Sequence, residues 1–381
     1  MKYVSEFRDP ALAQSLARAI AREADPARSY AFMEFCGGHT HAIFRYGVQD
    51  LVPANVRFIH GPGCPVCVLP MRRLDDALEL AEAQGVILAS YADMLRVPGS
   101  GRRSMLTARA GGADIRMVYS TLDALQIARD NPTREVVFMG IGFETTTPAS
   151  AMAILAAQRE GLANFSLFCN HVLTPPAIAH VLSAPGIDPA QAVHLDGFLG
   201  PSHVSTVIGA AAYRPLVELY AKPVVIAGFE PLDVLQSVLM LIRQVNEGRA
   251  EVENQYARVV TEQGNTKAQA MMDQVFTLRD SFEWRGLGAV PHSARAIRPA
   301  YAAFDAEARF ALTPKQSRET KSCECPAILR GVKQPKDCKL FGKACTPETP
   351  MGACMVSSEG SCAAYYTYRR AETMAAMEAA A

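Results

Sequence analysis

The chain has 381 residues, enough for two or three domains, with 49% hydrophobic and 20% charged residues. Its 38 Lys and Arg balance 38 Asp and Glu, so no overall field draws it to nucleic acid or to a membrane surface, and no apolar run approaches the length of a membrane span. Ten cysteines, with no apolar leader in the opening MKYVSEFRDPALAQ, argue for metal and redox work in the cytosol rather than a disulfide framework.

In chain order, Asp9-Pro10 predicts a helix start, with Asp as the capping residue and Pro at the first helical position. Apolar runs at 30–35, 56–60, 86–89 and 115–119 then alternate with helical patterns such as 71–84, which stops at Gly85. The alternation resumes at 136–139, 165–169, 193–195 and 224–227. It predicts α/β architecture with parallel sheets covered by helices. The length suits two such domains, with a boundary near Asn131-Pro132: residues 1–131 form the first and 132–310 the second. A faint echo joins the halves, because Gly142-Phe143-Glu144 and Gly228-Phe229-Glu230 each follow an apolar run. Both place a carboxylate just past a strand end, where open α/β sheets bind their ligands. Residues 311–381 lack strand signals and read as a small, loop-rich domain whose fold would depend on a metal centre. Between Lys315 and Lys343 eight basic residues face three acidic ones, a solvated surface or compensation for an anionic cluster.

Three glycine-rich turns carry reactive side chains. In Cys36-Gly37-Gly38-His39-Thr40-His41 the glycines let a ligand approach the backbone, Cys36 offers a thiolate, and His39 and His41 can accept protons or bind metal. The alternative is a buried Cys36 acting as a small hydrophobe, with His41 capping a helix. In Gly61-Pro62-Gly63-Cys64-Pro65-Val66-Cys67 the C-x-x-C spacing reads as a dithiol/disulfide pair, against half of a zinc knuckle for which no second C-x-x-C exists. The third turn runs from Asp196 to His203, two residues that could share one crevice. Asn170-His171 has a similar ambiguity, and Cys169 reads as core.

The tail cysteines Cys323, Cys338, Cys345 and Cys362 read C-x14-C-x6-C-x16-C. Thiolates select soft metal centres, and zinc ribbons bring close C-x2-4-C pairs that are missing here. A four-cysteine [4Fe–4S] cluster is the expectation. Cys325 and Cys354 stand outside the spacing as a substitute ligand or a second redox pair.

With CGGHTH, GPGCPVC, GFETTTP, NHVLTPP, DGFLGPSHVS and the cysteine tail in one order, the chain resembles the HypD family of hydrogenase maturation factors, from about residue 30 to 366. The resemblance implies a scaffold for assembling the Fe(CN)2CO unit of [NiFe] hydrogenases. Cys36 would bind the iron together with a cysteine of a small HypC-type chaperone, and a HypE-type partner would deliver cyanide. Electrons from the [4Fe–4S] cluster would pass through Cys64 and Cys67. His39 would hydrogen-bond a bound cyanide or tune the sulfur; from its place past a strand end, Glu144 joins Cys64, Cys67 and His39 as a candidate catalytic residue. The competing class is a stand-alone iron–sulfur thiol–disulfide oxidoreductase, which has no evident need for a third cysteine flanked by two histidines; a purely structural zinc protein is a third.

Overall fold

The structure, a computed structural model, describes residues 5–183, 193–312 and 322–369. Lys315, Arg318 and Lys321 of the basic stretch lie outside the described residues. The first helix, Pro10–Glu23, starts as its sequence predicts: the Asp9 carboxylate accepts from the amides of Ala11 and Leu12 at 2.8 and 3.1 Å. These donors would otherwise be orphaned at the helix end.

The strands of the α/β body are β1 (Tyr30–Glu34), β2 (Val56–His60), β3 (Val86–Ser90), β4 (Ile115–Met117), β5 (Glu135–Gly142), β6 (Phe165–His171), β7 (Gly197–Pro201), β8 (Val224–Ala227) and β9 (Val252–Asn254). They form two sheets, one in the order β2-β1-β7-β8-β9 and the other β4-β3-β5-β6, and every pairing is parallel. Central strands such as β1 and β6 are buried along their whole length, as sheets covered on both faces require.

The α/β class stands, but the boundary at Asn131-Pro132 falls between β4 and β5, two strands of one sheet. The first sheet instead takes β1 and β2 from the start of the chain and β7, β8 and β9 from beyond residue 196. The chain therefore leaves one sheet, builds the other, and returns.

The strand expected at 193–195 is displaced to β7, inside the segment read as a turn. Its glycines are packing positions: a Cβ on Gly197 would lie 3.0 Å from Pro223, and one on Gly200 3.1 Å from Val224. Two antiparallel pairs were not foreseen, β10 (Phe276–Leu278) with β13 (Arg295–Ile297) and β11 (Ser281–Trp284) with β12 (Gly288–Pro291). The C-terminal region is loop-rich, as expected, with short helices at Cys325–Leu329 and Ser361–Tyr368. It does not build a separate core. Ile328, Leu329, Met355 and Tyr365 join the cluster that includes Met33, Phe44, Val66 and Cys67 of the main body.

Candidate functional site

Each sheet has one place where successive connections leave in opposite directions. In the first sheet it lies between β1 and β7, in the second between β3 and β5. Loops at the carboxyl ends of strands splay apart at such a point and leave a crevice. The two crevices open into one cleft of about 350 Å³, lined by Cys36, Gly63, Tyr91, Phe143, His203 and Glu359 among others. Its walls thus come from both sheets, from the C-x-x-C turn and from the C-terminal region.

Cys36 follows β1 at the start of helix Gly37–Arg45 and is 8% exposed. Burial first, then the carboxylates of Glu359 and Glu34, hold its thiol well above the usual cysteine range. In the absence of a cation the sulfur keeps its proton. A metal ion supplies the opposite charge and favours the thiolate. Gly37 is needed on the other side, because a Cβ there would lie 2.3 Å from the Cβ of Glu359.

The C-x-x-C turn packs directly against this segment. Gly37 donates to the Gly63 carbonyl at 3.2 Å, and a Cβ on Gly63 would fall 2.3 Å from the Cys36 amide nitrogen. Cys64 and Cys67 are joined in a disulfide, with Cα atoms 5.2 Å apart, and both are buried. Cys64 precedes the one-turn helix Pro65–Val68, whose Cys67 amide points at the Cys64 sulfur at 3.3 Å.

Several expected site residues have other duties. His39 is fully buried, and its Nε2 lies 2.9 Å from the Ala227 carbonyl of β8, with the ring against Phe229. The ring faces the first sheet rather than the cleft, and burial lowers its pKa. His41 reaches the Tyr368 hydroxyl at 2.8 Å and so ties its helix to Ser361–Tyr368. Glu144 is buried and accepts from the Thr174 amide at 2.9 Å and hydroxyl at 3.1 Å, capping helix Thr174–Ser183. Burial pushes its carboxyl up to about 7. Its sequence echo Glu230 instead pairs with Arg8. His171 is buried against the Ser150 hydroxyl at 2.8 Å, and burial lowers its pKa to about 4. Asp196 and His203 do not share a crevice: β7 separates them, and the Asp196 carboxylate accepts from the Ala31 amide at 2.9 Å at the amino end of the sheet. Cys169 is core, as expected.

Three contributors escaped the sequence reading. Glu34 is fully buried beneath the Cys36 turn, and Glu359 comes from the far end of the chain. Tyr213 is buried with its hydroxyl 3.1 Å from Ser205, and burial pushes its pKa well up. Only Glu34 left any trace in sequence, as a charged residue inside an apolar run.

In the C-terminal region the fold gathers thiols. The Cys325 sulfur lies near enough to those of Cys323, Cys354 and Cys362 to shift their pKa values, and Cys354 and Cys362 act on each other in the same way. Contacts with Cys325 and then Cys362 lower the Cys354 pKa, and contacts with Cys325 and Cys354 raise that of Cys362. Burial raises the nearby Cys345 to about 11. Gly352 makes room for the group, since a Cβ there would lie 2.5 Å from the Cys323 sulfur and 2.6 Å from the Cys325 sulfur. Cys338 sits half-buried after the Pro335–Asp337 turn, outside this group of interacting thiols among the described residues. No three His, Cys, Asp or Glu side chains close around a single metal ion among the described residues. No helix among them is long and apolar enough to cross a membrane.

The HypD family model, described as "Hydrogenase formation hypA family", matches residues 11–369. The hydrogenase expression/formation protein HupD of Azotobacter chroococcum mcd 1 is 64% identical over 380 residues, covering 100% of both chains. The hydrogenase maturation factor HypD of Azotobacter vinelandii is 65% identical over 370 residues, 97% of each chain. That of Escherichia coli strain K12 is 46% identical over 380 residues, 98% of this chain and 100% of its own.

Proposed function

The chain belongs to the HypD family of hydrogenase maturation factors, and from that premise we propose that it is the scaffold on which the Fe(CN)2CO unit of [NiFe] hydrogenases is assembled. One observation carries the reading. A soft thiol donor, Cys36, stands where the crevices of two parallel sheets meet, with a disulfide turn packed on its backbone and a cysteine-rich module closing one wall. Iron carrying cyanide and carbonyl ligands is cargo that a soft sulfur suits. Cys36 binds it together with a cysteine of a HypC-type chaperone, and a HypE-type partner delivers cyanide into the same cleft.

The chain's own residues divide the work. Cys36 gives up its proton as iron binds. The Cys64–Cys67 disulfide, taking up two electrons and two protons, opens to two thiols beside Cys36 and returns that pair to the site. Tyr91 and Phe143 line the cleft from the side of the second sheet.

The C-terminal thiols have the donor chemistry of a soft iron–sulfur centre, and Gly352 lets the sulfurs of Cys323 and Cys325 pack against its backbone. Cys323, Cys338, Cys345 and Cys362 would hold a [4Fe–4S] cluster, and Cys325 and Cys354 lie against that set. A cluster bound there supplies electrons singly. Anaerobically purified protein should be brown, with about four irons per chain; Cys338→Ala should lose them and Cys325→Ala keep them. The reverse pattern would move the fourth ligand to Cys325, and stoichiometric zinc without iron would end the cluster proposal.

The scaffold itself is tested by infrared spectroscopy of the protein co-expressed with its maturation partners. Cyanide and carbonyl bands are expected, and Cys36→Ala should remove them while leaving the visible absorbance of the tail intact. Bands of wild-type intensity in Cys36→Ala would exclude Cys36 as the ligand.

A further inference from the structure

A helix normally satisfies its first amides with the side chain of the residue that caps it, most often Ser, Thr, Asp or Asn. In helix Gly37–Arg45 the capping position is Cys36, whose side chain makes no full capping hydrogen bond, although the Gly38 and His39 amides lie near enough to favour its thiolate. The sulfur also lines the cleft. The polar work at this helix start is done from two residues upstream. Glu34, the last residue of β1, accepts from the Cys36 amide at 2.9 Å through Oε2.

The carboxylate is held in turn. Its Oε1 accepts from the Thr40 hydroxyl, one turn into the same helix, and from Nδ1 of His60 at 2.9 Å, the last residue of β2. The His60 ring lies 4.7 Å from that of Phe44, also on the Cys36 helix. The Glu34 carbonyl accepts from Gly61 at 2.9 Å, at the start of the turn that leads to the disulfide. Three donors therefore meet one fully buried carboxylate. Its negative charge beside the helix amino terminus is favourable. Burying a charge without such partners would be costly.

We propose that Glu34 is a positioning residue for Cys36: clamped by His60 and Thr40, its carboxylate holds the Cys36 amide so that the sulfur faces the cleft. The purpose of that placement rests on the reading of Cys36 as the iron ligand, whereas the placement itself is a property of the metal-free chain. A glutamate is required here because the neighbouring groups are donors. Glutamine in its place presents an amide N–H to one of them, and either the Cys36 amide or the Thr40–His60 side loses its acceptor.

The test uses full-length, iron-free protein with the Cys64–Cys67 disulfide intact. Alkylation of Cys36 by iodoacetamide is followed by peptide mass spectrometry, with the buried strand cysteine Cys169 as an internal reference for general opening. Glu34→Gln should raise the Cys36 rate about ten-fold relative to Cys169, as loss of a charge-assisted hydrogen bond implies. Glu34→Asp, which keeps the charge that holds the Cys36 thiol up but withdraws the carboxylate from its amide, should raise it too. A rise confined to Glu34→Gln would be an effect of charge alone and overturn the proposal. Thr40→Val, which removes one donor and leaves the carboxylate on the Cys36 amide, should stay within about two-fold. If Glu34→Gln does not fold, His60→Gln, which loosens Oε1 but keeps the charge, should give a relative rise of about three-fold. A rise shared equally by Cys36 and Cys169 would show a general structural role and overturn the proposal, as would an unchanged Cys36 rate. A relative rise at Cys36, combined with infrared bands that survive Cys36→Ala, would uphold the positioning role and overturn the ligand reading alone.

Discussion

At the carboxyl end of the first sheet, β1, β2 and β7 lead into turns that carry Cys36, the Cys64–Cys67 disulfide and His203. At the same end of the second sheet, β3, β5 and β6 lead to Tyr91, Gly142-Phe143-Glu144 and Asn170-His171. The two rims face one cleft, and both carry polar motifs past strand ends, those of the first rim being the stronger in sequence. Their side chains differ in what they touch. The first rim leaves sulfur beside the cleft, whereas in the second Glu144 caps a helix, His171 bonds Ser150, and Asn170 accepts from Arg73. A polar motif at a strand end therefore has two uses. One presents a reactive atom, and the other fixes the loops that give the cavity its shape.

The largest effect expected from this division is at the disulfide. Cys64→Ser should abolish hydrogenase maturation while leaving folding and the tail's visible absorbance intact, because only the two-electron pair beside Cys36 is lost. Thiol trapping gives the companion measurement: mild oxidation should protect Cys64 and Cys67 together, and reduction should release both. If both stay alkylatable after oxidation, the pair is structural and the first rim loses half of its chemistry.

A matched pair of glycine substitutions sharpens the comparison. Gly63→Ala places a Cβ 2.3 Å from the Cys36 amide nitrogen, and Gly142→Ala places one 1.7 Å from the Thr146 hydroxyl in a backbone with φ of +145°. Each should destabilise the fold by about 1–3 kcal/mol, measured by denaturant unfolding. Their functions should part. Gly63→Ala should weaken the cyanide and carbonyl infrared bands well beyond its loss of folded protein. In Gly142→Ala the bands should fall only in proportion to the folded fraction. Equal, disproportionate losses would mean that both rims act on the iron.

How far sequence could anticipate this follows from the kind of signal each residue carries. The strand–helix alternation and C-x-x-C pairing are local patterns and were legible. The return of β7 to pair with β1 was not, because contiguous halves are the simplest reading of two similar segments and the glycines of β7 mimic a turn. Cys36 was legible from its neighbours in the chain. Glu34 was not, since three donors converge on it only after β2 and the Cys36 helix are in place. The same holds for Glu359, and for Cys325 at the centre of the tail thiols: their significance lies in contacts between distant segments. Glu144 and His39 are motif residues whose hydrogen bonds to Thr174 and Ala227 could not be read from the sequence.

The effect on function expected to be smallest, and the one that separates the rims most cleanly, concerns Glu144. Its carboxyl is raised to about 7 by burial, from an ordinary value of 4.5. The native state therefore keeps a proton that the unfolded chain gives up between these values, so stability should fall as pH rises from about 4.5 to about 7 and be level on either side. The span corresponds to at most about 3 kcal/mol. His171, held neutral with its pKa lowered to about 4, acts in the opposite sense, adding stability that is lost as pH falls from 6.5. The two overlap, so the Glu144 contribution is read as a difference between variants. Glu144→Gln cannot ionise, yet its carbonyl can accept from the Thr174 amide. Relative to the parent it should gain stability as pH is raised from 5 to 8, as measured by urea unfolding at each pH, and its infrared bands should persist. Bands lost at pH 8 from a Glu144→Gln protein that is fully folded would make Glu144 a participant in the chemistry, and the second rim would no longer be mere support.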